Sequence, residues 1–418
     1  MSYKTKSVLV YDLGLFCGLA ETLTSEFGKV YYHSPGIEAA FPKSNWTMIG
    51  RGIPGVTRVE SIWDVLDDVD LFVFTDVGSG PLQCHLREIG KRVWGAGMAE
   101  ELELDRAASK KHLEKLGIPI GEWAKVRGVD ALRGYLSRRK NQWVKVSRFR
   151  GDMESFHAAS AKTVASKLDE LDHNLGAKSD LQEFIVEKHI GNAVEIAYDG
   201  FTVDGEYPKK ALFGAEIKDK GYVGTWLDYD KLPSQIQETN ALIAPTLKKY
   251  ECRSFFGMEM RVDKAGKPWV IDPLCRLGSP PGELCQVMYK NLAEIFWEGA
   301  GGKVVTPEFA AKWGAELLIH SSWAEQHWQP ITFPKDIEKY VKLRNMTIID
   351  GERYVVPQTV GLPEVGAVTG IGATMEEAIA QVKEHAEQID GYLVEIFEDS
   401  IDKAKGEFDK MKEYGIDI

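Results

Sequence analysis

Two strand-like runs joined by a five-residue turn constrain this chain more than any other feature. In SFFGMEMRV (residues 254–262), alternation puts Phe256, Met258, Met260 and Val262 on one face and Glu259 and Arg261 on the other. In PWVIDPL (268–274), Trp269 and Ile271 take one face and Val270, Asp272 and Leu274 the other. A turn at DKAGK that closes the runs as an antiparallel hairpin symmetric about residues 265 and 266 sets Glu259 opposite Asp272. Like charges facing each other across a sheet cost about 0.2–1 kcal/mol when exposed, and more where water is excluded. A hard divalent cation answers that cost, because Mg²⁺ binds through one or two carboxylates and keeps its other positions for water and phosphate oxygens. Arg276, four residues beyond Asp272, extends the pattern toward an anionic ligand. Taken singly, Glu259 and Arg261 also suit solvated strand positions, and Asp272 suits a cap on the turn before Pro273.

The rest of the chain alternates short apolar runs with helical stretches. SVLVY, KVYYHS, LFVFTD and KRVWGAG, with a helix in GPLQCHLREIGK, predict a parallel sheet covered by helices, a Rossmann-like domain over residues 1–97. DLGLFCG is not GxGxxG, so a dinucleotide site lacks its fingerprint. In ELELDRAASKKHLEKLGIP, Leu102, Leu113 and Leu116 fit helical spacing, Asp105 is available as a cap, and Gly117 and Pro119 as a stop. NQWVKVSRFRGD reads as a strand ending in a turn. DLQEFIVEKHIGNAVEIAYDG reads as two strands broken at Gly191. Gly299, Gly301 and Gly302 mark the next boundary. Beyond it come strand-like segments and then TMEEAIAQVKEHAEQI, where Thr374 and Glu377 form a capping-box pattern. The fold class is α/β and α+β multidomain: 1–97, a middle region over 98–300 with a small unit at about 120–183, and a smaller C-terminal α+β domain over 301–418.

Composition narrows the function. With 418 residues, 44% hydrophobic and 27% charged, the chain has the make-up of a soluble globular protein. No run is long enough to cross a bilayer, and MSYKTKSVLVYDLG lacks a signal-peptide pattern, so a cytoplasmic location without membrane partners is expected. A net charge of −12 without a Lys/Arg block argues against general nucleic-acid binding. Five cysteines without CxxC spacing indicate neither a disulfide framework nor a zinc ribbon. GxxxxGK[ST], HExxH and GxSxG are absent.

In order along the chain, these segments resemble the ATP-grasp superfamily. LDRAASKKHLEKLGIP is similar to the helix and GIP-like turn whose upstream basic residue contacts nucleotide phosphates, which implies Arg106 in that role. WVKVS is similar to the vvKp strand and implies Lys145 as the second phosphate contact. SRFRGDMES corresponds to the glycine-containing lid loop, with Gly151 its only glycine. IVEKHIGNAVEIAYDG is similar to the biotin-carboxylase adenine hinge with its following strand and DG turn, implying Glu187, Lys188 and Ile190 at the adenine edge, Glu195 near the nucleotide and a turn at Asp199 and Gly200. The same resemblance implies Glu259 and Asp272 as Mg²⁺ (or Mn²⁺) ligands, and Arg276 and Lys145 as catalytic groups. Where the family has an asparagine in E-x-N-x-R, this chain has Leu274.

Within the superfamily, VFTDVGSGPLQCHLREIGKRVWGAG and GLPEVGAVTGIGATMEEAIAQVKEHAEQIDG resemble the phosphoribosylamine-glycine ligase branch. The likeness implies a Rossmann-like domain followed by an ATP-grasp domain pair. It also implies ATP-dependent amide formation through an acyl phosphate, small-molecule carboxylate and amine substrates, a place in purine biosynthesis, and a monomer or homodimer. The branch's GGREHAL-type segment is replaced by DLGLFCGLAETL, and its NRFGD stretch by LCRLGSPP. Those segments contact phosphoribosylamine in the branch, so a ligase with another amine acceptor, or a nucleotide-binding relative without catalysis, remains a rival reading.

Overall fold

A computed structural model of the chain describes residues 3–35, 47–147, 155–357 and 363–416. The apolar N-terminal runs form a five-stranded, wholly parallel sheet in the order Val56–Arg58, Phe27–His33, Tyr3–Tyr11, Leu71–Phe74, Arg92–Trp94. Leu71 to Phe74 are buried on both faces, as a parallel sheet between helices requires. The Rossmann-like expectation for this region therefore matches the fold.

A smaller unit follows, with a four-stranded sheet ordered Trp123–Arg127, Glu183–Lys188, Gln142–Val146, Ser155–Ala158. Helices Val129–Leu136 and Ala165–Leu175 cover it, and Leu132, Val144, Leu168, Phe184 and Val186 fill a core separate from the main one. Its last strand carries it five residues past the expected end at 183.

The largest sheet has nine strands. Its path runs Pro268–Leu274, Arg253–Asp263, Ala193–Val203, Lys210–Ile217, Gly221–Asp228, Trp313–Ser321, Glu364–Gly372, Val341–Leu343, and Val394–Ile396 also pairs with Trp313–Ser321. Strands from beyond residue 300 thus continue the sheet that carries the hairpin. Among the described residues beyond 300, a three-stranded sheet built on Met346–Ile349 and Glu352–Val355 stands apart from it. Helix Met375–Ala386 packs on the large sheet and starts at the Thr374/Glu377 capping box. No described helix is long and apolar enough to cross a membrane.

Two local expectations are corrected. The strand beginning at Ala193 does not turn at Asp199 and Gly200 but continues to Val203, and the reversal comes at Asp204 and Gly205, both at positive φ. The hairpin pairs Glu259 with Asp272 as expected, but by a different route. Arg261 pairs with Trp269 and Met260 with Val270, and a bulge at Ile271 then shifts the register so that Glu259 meets Asp272. Val270 and Asp272 therefore lie on opposite faces: Val270 packs in the core at 1% exposure, and Asp272 faces a cavity.

Candidate active site

A cavity of about 620 Å³ lies over the front of the large sheet, between it and the smaller unit. Arg106, Lys145, Glu187, Lys188, Ile190, Glu195, Glu259, Asp272 and Arg276 all line it. Gly151 and the rest of the expected lid loop, 148–154, lie outside the described residues.

Each side chain is delivered by a local cause. Helix Arg106–Lys115 starts at Asp105, whose carboxylate accepts the Ala108 N–H as an N-cap at 3.0 Å. That start buries Arg106, whose guanidinium donates to the Val146 carbonyl at 2.7 Å. Lys110, one turn later on the same face, is 3% exposed. It pairs with Glu187 at 2.9 Å, and its ammonium also donates to the Ile271 carbonyl, which the bulge has released from the ladder. Lys145 lies between two acids, 2.7 Å from Asp272 and 3.3 Å from Glu187. The Glu187 carboxylate is thus taken up by two lysines. Lys188 points outward to Glu122 at 3.7 Å.

Electrostatics divide the acids. Burial works against ionisation of Asp272, but Lys145, Lys110 and Arg106 outweigh it and hold the carboxyl below its usual range. Burial opposes the charge on Lys145, and Asp272 and Glu187 overcome that, raising its pKa. Glu259 has the opposite balance: burial pushes it well above the carboxylate range, and Glu216, Glu195 and Asp272 add to the effect. Among the described residues, no hydrogen bond or ion pair reaches Glu259. One compensated and one uncompensated carboxylate facing each other suit a divalent cation. No described cluster of three or more His, Cys, Asp or Glu could hold a metal by itself, so water and phosphate oxygens would supply the remaining positions, the habit of Mg²⁺.

Arg276 is oriented from the N-terminal half. Glu103 accepts from its Nε at 2.8 Å and from the Cys275 N–H at 3.0 Å, and Asp76 lies 3.7 Å away. Glu195 stands opposite Arg261 in the ladder and 3.6 Å from its guanidinium.

Glu103 and Glu216, which line the cavity, and Lys110 and Asp76, which contact residues that do, belong to the candidate site and were missed by sequence reasoning. Only Lys110 had a signal, the four-residue step from Arg106 along one helix face. Glu216 is an exposed residue that opens onto the cavity without an ion pair among the described residues, and desolvation by the cavity walls, with Glu195, Asp199 and Asp219, lifts it to about 8. Its folded pKa lies above its unfolded value, as does that of Glu259, so the folded chain holds more protons and stability falls as pH rises from about 4.5 through about 8. The expected result is a urea-unfolding midpoint that declines from pH 6 to 8.5 without divalent cations, and a Glu216→Gln variant with a shallower decline. Equal slopes would exclude Glu216 as a cause.

This architecture is the ATP-grasp fold, seen in the solved structures that superpose on the chain. The crystal structure of phosphoribosylamine-glycine ligase from Thermotoga maritima matches with a TM-score of 0.69 at 16% identity, over 93% of this chain and 98% of that one. The biotin carboxylase domain of Hydrogenobacter thermophilus 2-oxoglutarate carboxylase, solved with MgADP, ADP and bicarbonate, matches with a TM-score of 0.66 at 13% identity, over 98% and 95%. In sequence, phosphoribosylamine-glycine ligase of Neisseria meningitidis serogroup B is 22% identical over 286 residues. That match covers 61% of this chain and 65% of the curated relative, less than two thirds of its length. No protein-family model matches the chain.

Proposed function

We propose that the protein is an ATP-dependent carboxylate-amine ligase that forms an amide through an acyl phosphate. The observation that carries this reading is that one cavity is lined by Arg106, Lys145, the hinge residues Glu187, Lys188 and Ile190, the facing pair Glu259 and Asp272, and Arg276. Condensing a free acid with an amine in water is uphill, so the carboxylate must first acquire a leaving group. ATP supplies it: the acid oxygen attacks the γ-phosphorus, ADP leaves, the amine attacks the resulting acyl carbon, and phosphate departs.

In this scheme Arg106 and Lys145 neutralise and align the phosphates. Glu259 and Asp272 hold Mg²⁺, which when bound spreads the charge that develops on the phosphate oxygens. Arg276, always charged and able to grip two oxygens, binds the transferring phosphoryl group. The 187–190 backbone and Ile190 receive the adenine. The similarity to phosphoribosylamine-glycine ligases makes glycine with phosphoribosylamine the first pair to test; an amine acceptor of another kind is the alternative within the same chemistry. One feature favours a nucleotide binder without turnover: Leu274 stands where the resemblance to E-x-N-x-R would put an asparagine. Measuring Mg²⁺-dependent ADP release against a panel of amino acids and amines separates the two. Release that requires both an acid and an amine supports the ligase, and a chain that binds ADP yet stays silent across the panel contradicts it.

A further inference from the structure

Strand Ala193–Val203 crosses the cavity floor, and its front-facing residues step away from the adenine hinge. Glu195 comes first, then Ala197 opposite Glu259, then Asp199 opposite Gly257, which in turn pairs with Leu274. Asp199 therefore lies one row past the facing acids, on the side that leads through Leu274 to Arg276. A reactant in that row sits beyond the terminal phosphate as seen from the hinge.

The surroundings of Asp199 are built for it. Tyr222 is 2% exposed and donates its hydroxyl to one Asp199 oxygen at 2.7 Å. The ring reaches across a floor of glycines: a Cβ on Gly214 would lie 2.5 Å from the Tyr222 ring and hydroxyl, and one on Gly224 2.6 Å from the ring. Gly214 pairs with Gly224, and Gly224 with Gly314, so the bare stretch continues over three strands. Asp199 lines the cavity, and among the described residues no second hydrogen bond and no cation reaches it. Burial raises its carboxyl to about 6, which leaves it ionised at neutral pH. A buried carboxylate without a cation is costly, and it becomes favourable when a ligand supplies one.

We infer that Asp199, held in place by Tyr222, anchors the ammonium or amine group of the acceptor substrate. The inference rests on the ligase reading and deepens it by naming the chemical class bound at this end of the cavity, a primary amine. A divalent cation at Asp199 is the competing occupant, and the test includes it.

The test is calorimetric titration of the MgADP-loaded full chain with methylamine, ethanolamine and putrescine, amines that carry no carboxylate. At least one amine is expected to bind, with affinity reduced about tenfold or more in Asp199→Asn, the order of a lost charged hydrogen bond. Tyr222→Phe, which keeps the ring and removes the donor, is expected to weaken the same amine about fivefold. Affinity for MgADP should be unchanged in both. The inference is overturned if no panel amine binds, if Asp199→Asn binds the amine like the wild type, or if that variant loses Mg²⁺ and not the amine. Asp199-dependent amine binding with no ADP release from any acid and amine pair would leave the anchor standing and remove the ligase. ADP release with an unchanged amine KM in Asp199→Asn would do the reverse.

Discussion

Lys145→Ala is expected to abolish turnover and to lower stability by about 3 kcal/mol, the usual loss when one partner of a buried ion pair is removed. Lys145 is 4% exposed, and its ammonium is the shared counter-charge for Asp272 and Glu187. Without it Asp272 keeps only Lys110 and Arg106 as stabilising charges, and the acid moves back toward the protonated form. The lysine is thus both a proposed phosphate contact and a structural ion. Lys145→Arg separates these roles, because it retains the charge but not the compact point geometry of an ammonium. It is expected to recover most of the stability and little of the turnover. ADP release and urea unfolding, measured on both variants, test this directly; wild-type turnover in the alanine variant would remove Lys145 from the chemistry.

Arg276→Ala is expected to cut the rate of ADP formation by about 10²–10³-fold, the loss typical of one preorganised group that stabilises developing charge. Affinity for MgADP should hardly change, since the proposed adenine hinge and the two proposed phosphate contacts, Arg106 and Lys145, remain. Glu103 would keep the Cys275 N–H as a donor, which limits the structural damage. A drop in nucleotide affinity equal to the drop in rate would mean that Arg276 binds ground-state phosphate and has no preference for the transition state.

The strand hairpin was legible because alternation of apolar and polar side chains is a local property. Its turn was misplaced by half a residue, and the bulge at Ile271 compensated, so the Glu259–Asp272 pairing emerged from a register that period-two counting cannot contain. The family resemblance implied a turn at Asp199 and Gly200, where DG is also a strong turn signal. The sheet overrides it by giving that segment a full-length partner in Arg253–Asp263, and the real turn is the second DG pair five residues on. That correction brought Asp199 from an expected loop into the cavity.

The charge partners were not legible. Glu103 reaches Arg276 across 173 residues, and Lys145 reaches Asp272 across 127. No spacing rule connects them, since the contacts exist only once three sheets have been assembled. Motif order located the basic and acidic groups of the candidate site, whereas folding decided which acids are compensated. Among the described residues Glu259, Asp199 and Glu216 are left without a cation, and the proposed chemistry assigns ligands to the first two.

The most direct measurement of the central claim follows oxygen. If the chain activates a carboxylate as an acyl phosphate, then an amino acid or other acid labelled with ¹⁸O in its carboxylate, incubated with MgATP and a reactive amine, transfers one labelled oxygen to inorganic phosphate for each amide formed. The account predicts that transfer, with ADP, phosphate and amide in equal amounts. ADP formed with unlabelled phosphate, or no ADP with any acid and amine, would contradict it.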